Sequence, residues 1–432
     1  MTRLAFVNAR LVDPASGLDT QGGLLTDGAR IADLGPRLFN EGTPAGAEVI
    51  DCKGHVLAPG LIDMRVFAGE PGMESQETLA TASQAAAAGG VTTLICMPNT
   101  HPVIDDVALV DYIERRARDT AIVHVHPMAA LTKGLAGKEM TEMGLLSEAG
   151  AVGFTDGDRS VTNAQVMRRA LSYAATFDVL IAQHAEDPML AAGGVMNEGE
   201  LSMRLGLPGI PKIAETLIAE RDMRLVQLTG ARYHLSQLSC AETLEVVERA
   251  KAQGLPVTCA VSAHHLALNE TDVASYRTFC KISPPLRAEA DREAMVDGIA
   301  RGIIDVIVSS HSPQGPENKR QPFAEADFGA IGLETLLSVA LGLYHQGAVS
   351  LIEALRPLTE RPAGILKLAG GRLAKGAPAD LVLIDIAERY LVDAESMRSK
   401  SKNTPFDRRT LTGRARLTVV GGQTVFTRHD HS

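Results

Sequence analysis

Between residues 58 and 368 the chain alternates short apolar β-like runs with helical patterns, and this alternation limits the fold more than any other feature of the sequence. "VTTLICMPN" follows the helix-like "SQETLATASQAAAAGG". "AIVHVHPMAAL" precedes "MTEMGLLSEAG", and "AVGFTD" precedes "NAQVMRRALSYAATF". "VLIAQHAED", "RYHLSQLS", "PVTCAVSAHHLAL" and "DVIVSSHSP" continue the series. Nearly continuous apolar strands separated by helices predict a parallel sheet covered on its faces, most economically a (β/α)8 barrel. An open doubly wound sheet is the alternative, although no GxGxxG marks a strand-to-helix turn. Residues 1–57 and 369–432 instead read as short strands with Gly and Asp-Gly turns. The expected architecture is therefore a barrel over 58–368 flanked by a small β-sandwich assembled from both chain ends.

Composition excludes several classes. Hydrophobic residues make up 45% and charged residues 22%, as in an ordinary globular protein. No run approaches the length of a membrane span. The N-terminus "MTRLAFVNARLVDPASG" lacks the apolar core of a signal peptide and reads as a strand. Five cysteines without a CxxC pair suggest reduced thiols and a cytoplasmic location. A formal net charge of −10 and the lack of a basic, aromatic-rich cluster speak against nucleic acid.

Polar residues gather at the C-terminal ends of the β-like runs: Asn99, Asp156, His184, Gln237, His264 and His311. In a parallel barrel those ends face one mouth. Each alone could simply mark the end of a strand, whereas six at successive ends point to a shared site. His124 and His126 in "VHVHP" lie on one face of their strand by alternation. No carboxylate partner stands near them in sequence, so a relocated metal site has little support. His234, His264 and His265 read as packing or supporting residues, and His429 with His431 as a solvated tail.

The stretches "PGLIDM", "EPGMESQETLATASQAAAAGGVTTLICMPNTHPVID", "GFTD", "HAEDP", "LGLPGIPKIAE", "PPLR" and "KSKNTPF" resemble the dihydroorotase branch of the amidohydrolase superfamily over nearly the whole chain. The resemblance implies a TIM-like barrel, a sandwich from both termini, and the reversible cyclisation of carbamoyl-aspartate to dihydroorotate in pyrimidine biosynthesis. It also implies zinc, held by His-x-His on the first strand, a bridging carboxylate, two later histidines and a last-strand Asp. In this chain those places fall on Arg65, Phe67, Asp156, His184, Gln237 and Ser310. Asp156 and His184 remain, and four places are lost. Phe67 cannot bind a metal, and Arg65 brings a permanent cation to the place of a dication. At about 4 Å and an effective dielectric of about 20, each pair of unit charges repels by roughly 4 kcal/mol. Ser310 removes a general base along with a ligand. The family's substrate-clamping Arg is Gly69 here, its Asn before "PPLR" is Ser283, and its second last-strand His is Gln314; Asn99 is retained.

The expectation is a scaffold with a vestigial site at Asp156, His184, His311 and Asn99, without a cofactor, and with Arg65 pairing Asp156 in place of the metal. By family analogy its partner is aspartate transcarbamoylase, and homo-oligomers are expected. The competing reading is an active cyclic amidohydrolase using zinc at Asp156 and His184. A sensor that binds carbamoyl-aspartate without turnover is a third, weakened by Gly69 and Ser283. "RSKSKNTPFDRRT", residues 398–410, is basic in an acidic chain and is expected to be either a solvated loop or an interface.

Overall fold

The computed structural model describes residues 3–429. His431 lies outside the described residues, and His429 is exposed.

The chain ends build the β-sandwich domain. Leu4–Asp13 pairs antiparallel with Leu18–Asp27, which pairs with Arg30–Gly35. From the other end, Leu381–Leu391, Thr410–Val420 and Gln423–Thr427 form an antiparallel meander. Val56–Pro59 joins the two halves, running parallel to the first strand and antiparallel to Leu381–Leu391. Phe6, Leu11, Leu24, Ile31, Leu57, Leu381 and Val419 are buried in one core, so neither terminal piece could bury its apolar face alone.

The middle of the chain is a closed parallel barrel. Leu61–Val66 pairs with Val91–Cys96, and that strand with His124–Pro127. Phe154 bridges Ala129 on one side and Ile181 on the other, supplying a minimal fourth strand. Ile181–Gln183, Tyr233–Leu235, Val257–Ser262 and Val306–Val308 complete the ring. A parallel bridge between Val66 and His311, with Phe67 N donating to His311 O at 2.9 Å, closes it. Closure rules out the open-sheet alternative. Met64, Ile95, Met97, Met128, Ala182, Ala260, Val306 and Val308 fill a separate apolar core, as barrel interiors require.

The helical patterns become outer helices. Leu79–Ala88 is capped by Thr78, whose side chain accepts from Thr81 N, and it ends at Gly89. Ala164–Phe177 is capped by Asn163, and Ile213–Thr229 ends at Gly230 in the left-handed conformation. Among the described residues no helix is long and apolar enough to cross a membrane.

The basic segment 398–410 corrects an expectation. Ser399, Ser401, Asn403, Thr404 and Phe406 are buried, so its first half is not a solvated loop, although Arg398 and Lys400 point outward. Asn403 receives Gln314 N at 3.2 Å and donates to the carbonyls of Ser312 and Gly329. Arg409 pairs with Asp272, whereas the Arg408 side chain is largely exposed.

Candidate functional site at the barrel mouth

Arg65 is the penultimate residue of the first barrel strand, with 3% exposure. Its Nη1 donates to the Gly157 carbonyl at 3.2 Å and lies 3.9 Å from Met97 Sδ, and Nε has no protein acceptor. The guanidinium lies over the Phe67 ring at 5.3 Å, a cation–π contact. Burial pulls the Arg65 pKa down to about 10, and the fields of Asp158 and Asp63 oppose the shift. It therefore stays charged at neutral pH.

The expected Arg65–Asp156 pair does not form. Asp156 accepts from Thr132 N at 2.8 Å and from Thr132 Oγ1 at 2.5 Å. Burial raises the Asp156 pKa, and these hydrogen bonds only partly offset it. Arg65 binds the carbonyl one residue beyond Asp156, so the two meet the same loop without sharing a charge contact.

His184 follows its strand with Nε2 3.3 Å from Ser283 Oγ and Nδ1 without a partner. Burial, followed by repulsion from Arg65, lowers its pKa to about 3, so the ring is neutral. Gln237 is buried with both amide atoms unpartnered, as is Asn99 Oδ1. Asn99 packs against Gly157: a Cβ there would lie 2.9 Å from Asn99 Cγ. His264 stacks on Phe406 at 5.8 Å and leaves Nδ1 unpartnered. Ser310 is held at φ +51°, in the left-handed region that a serine adopts only under local constraint.

His311 has a defined structural role. Gly332 N donates to its Nδ1 at 3.3 Å, which leaves Nε2 as the donor to Glu77 Oε2 at 3.3 Å. Glu77 also accepts from Thr81 Oγ1, Ser399 Oγ and, at 3.1 Å, Lys400 N. Burial opposes ionisation of Glu77, but the bonds from His311, Ser399 and Thr81 prevail and hold its pKa below the ordinary carboxylate value. This clasp joins a helix start, the last barrel strand and segment 398–404. The sequence reading did not single out Glu77. A buried Glu ahead of an Ala-rich helix looks the same in sequence as a solvated one. Asp63 was missed too. It takes Arg65 N and Ser309 N at 3.2 Å each, and burial raises its pKa to about 6.

The remaining histidines lie elsewhere. His124 and His126 begin the third strand, at the end of the barrel opposite the mouth. His124 Nε2 meets Asp380 Oδ1 at 3.1 Å, a carboxylate 256 positions away, and this seam ties the barrel to the sandwich. His234 bonds Thr258 Oγ1 at 2.8 Å inside the barrel wall. His265 sits between Ser262 Oγ at 2.7 Å and the Pro285 carbonyl at 3.1 Å.

The donor set at the mouth does not fit zinc. Both Asp156 oxygens are engaged by Thr132, a guanidinium and a phenyl ring hold the first-strand places, and an amide and a hydroxyl hold two others. Among the described residues no three His, Cys, Asp or Glu side chains converge on a point where a metal could bind. Gly69, where the family has its carboxylate clamp, is equally committed. Its φ is +69°, and a Cβ would lie 2.5 Å from Glu77 O. The geometry offers instead one buried cation in the fields of Asp158 and Asp63, beside amide and imidazole groups.

Comparison with known proteins agrees with this architecture. Residues 54–243 match the Dihydro-orotase-like family, and residues 342–426 match the Amidohydrolase family. A dihydroorotase of Ehrlichia canis (strain Jake) is 46% identical over 426 residues, covering 98% of this chain and 95% of that protein. A dihydroorotase of Syntrophus aciditrophicus (strain SB) is 40% identical, covering 98% and 99%. In fold, the L-hydantoinase (dihydropyrimidinase) from Arthrobacter aurescens superposes with a TM-score of 0.89 at 24% identity, covering 100% of this chain and 97% of that one. The closed barrel, the two-ended sandwich and identity to dihydroorotases along almost the full length place this chain in the dihydroorotase family of the amidohydrolase superfamily.

Proposed function

We propose that this chain is a dihydroorotase-family protein of pyrimidine biosynthesis that no longer carries out metal-dependent ring closure and serves as a structural partner of aspartate transcarbamoylase. The observation behind the loss of chemistry is Arg65: a buried guanidinium stands where the first metal ligand would be. A metal-bound hydroxide needs ligands that gather positive charge at one point and a base beside it. Arg65 repels that charge, and Ser310 offers no base. The partnership rests on family likeness alone. An intact barrel without its chemistry is consistent with a role in holding another subunit. Met189 and Leu190, on the loop after the His184 strand, and Ile213 and Leu217 on the adjoining helix are exposed apolar side chains of the kind protein contacts use. A cytoplasmic homo-oligomer that holds the transcarbamoylase is part of this reading.

A second reading is an active dihydroorotase with an atypical mononuclear site at Asp156 and His184. It is favoured by the 46% identity to a protein named dihydroorotase. Co-expression with the transcarbamoylase of the same organism, followed by size-exclusion chromatography and a carbamoyl-aspartate cyclisation assay with added zinc, separates the two. Co-elution without zinc-dependent turnover supports the scaffold. Separate elution with zinc-dependent turnover supports the enzyme.

A further inference from the structure

The end of the barrel opposite the mouth is not sealed. A cavity of about 380 Å3 lies there between the barrel and the sandwich, lined by none of the mouth residues. Its barrel wall is one row across three paired strands: Ile62 is in register with Thr93, and Thr93 with His124. Alternation puts Ile62 on the face of Met64, Thr93 on that of Ile95 and His126 on that of Met128, so these residues form the lowest layer of the barrel interior. The facing wall is Arg30, Pro378, Asp380 and Gly421 of the sandwich, with Leu368 and Gly370 from the connection between the domains. Arg30 is bridged to Pro378, and Gly60 N donates to Asp380 O at 2.9 Å, which fixes this wall. Thr93 is 6% exposed and the Asp380 side chain 10%. Asp380 takes His124 Nε2 and Gly421 N on the same oxygen, Oδ1. Among the described residues, Asp380 Oδ2, the Thr93 hydroxyl and the His126 ring have no hydrogen-bond partner. Burial lowers the His126 pKa, so the ring is neutral at pH 7 and can both donate and accept. Polar groups this deeply placed are normally satisfied.

We infer that this cavity is a second binding site, for a small uncharged molecule with an apolar body and an amide edge, its N–H on Asp380 Oδ2 and its carbonyl on the Thr93 hydroxyl, with the His126 ring beside them. Small-molecule sites are cavities of roughly this size with mostly apolar walls and a few convergent polar groups, often at a domain boundary. Ile62, Leu368 and Pro378 supply the apolar wall here. Charge selects a neutral occupant, because Asp380 opposes an anion and Arg30, at the exposed rim, opposes a cation. Water could satisfy the polar groups but would gain nothing from the apolar wall, whereas an amide on an apolar ring meets both. Such a ligand touches both domains, so its occupancy braces the sandwich against the barrel. The inference does not depend on the chemistry of the mouth or on whether the chain binds a transcarbamoylase.

The test titrates the full chain with benzamide, benzoate and benzylammonium, which share a shape and differ in charge, by isothermal titration calorimetry and saturation-transfer NMR. Benzamide should bind saturably, and the two charged probes at least about tenfold more weakly. Gly370→Leu fills the cavity without strain, because Gly370 lies outside the left-handed region and an added Cβ would meet no atom within 4 Å. That variant should melt like the wild type and lose benzamide binding. Thr93→Val keeps the shape, removes the hydroxyl and should weaken benzamide by about tenfold. Asp380→Asn should narrow the gap between benzamide and benzoate. The inference is overturned if benzamide does not bind the wild type, if Gly370→Leu or Thr93→Val binds it as tightly, or if either charged probe binds as well as benzamide. Undiminished binding in Gly370→Leu would place benzamide elsewhere on the chain.

Discussion

Replacing Glu77 with Ala should loosen segment 398–404 from the barrel without unfolding the barrel. The carboxylate takes His311 Nε2, Thr81 Oγ1, Ser399 Oγ and Lys400 N, and both Glu77 and His311 are buried to within 1%. The two hydroxyls can rotate to other acceptors after the change, and the Lys400 amide lies near solvent. The imidazole N–H cannot turn away, because its ring is fixed by Gly332 N at Nδ1. One stranded donor and one weakened amide, at roughly 1–3 kcal/mol for a buried orphan, give an expected loss of about 2–3 kcal/mol. In hydrogen exchange that is roughly a 30- to 150-fold acceleration of the amides of 399–404. Glu77→Gln keeps an acceptor and should show a smaller acceleration. Acidity gives a second reading. A carboxyl whose folded pKa is depressed stabilises fully above its unfolded value, and that stabilisation disappears as pH falls through the folded value. Protection of the wild-type segment should therefore fall below the ordinary carboxylate range, and Glu77→Gln should lack that acid limb. Exchange within a few-fold of wild type in Glu77→Ala, alongside a lowered global melting temperature, would show that Glu77 supports the barrel generally and does not clasp this segment.

Gly69→Arg, the obvious repair of the missing carboxylate clamp, should destabilise by about 1–3 kcal/mol in urea unfolding, because its φ of +69° and the 2.5 Å approach to Glu77 O admit no Cβ without backbone movement. Arg65→His with Phe67→His rebuilds only the first-strand pair; no turnover of carbamoyl-aspartate should appear with zinc, because Gln237, Ser310 and Gly69 remain. His124 is raised by its hydrogen bond to Asp380, so its contribution is fully present below pH 6.5 and is lost as pH rises through the folded value. The stability gap between wild type and His124→Ala should therefore narrow from pH 6 to 9, staying within about 1 kcal/mol because the side chain is 45% exposed.

The barrel was legible because its signal is repeated: strand after strand ends in a polar residue, and the helices between carry their own caps. The ligand losses were legible because Phe67 and Ser310 are chemical facts before they are structural ones. Partner choice was not legible. Asp156 is satisfied by Thr132, 24 residues earlier, through the contact of neighbouring barrel strands, and no local pattern announces that. The same holds for His124 and Asp380. Segment 398–404 was misread for a different reason. Counting its charges hid a period of two, in which exposed Arg398 and Lys400 and half-exposed Lys402 alternate with buried Ser399, Ser401 and Asn403. Glu77, inside the stretch that carries the family likeness, escaped because burial of a lone carboxylate depends on donors from two distant segments, His311 and Ser399–Lys400.

The central claim is that the barrel mouth has no working metal site. Equilibrium dialysis against zinc followed by elemental analysis, with carbamoyl-aspartate cyclisation measured on the same sample, tests it most directly. Zinc should remain well below one ion per chain, turnover should not depend on it, and Asp156→Asn and His184→Ala should leave both unchanged. A stoichiometric zinc ion that supports cyclisation and disappears in His184→Ala would contradict the claim.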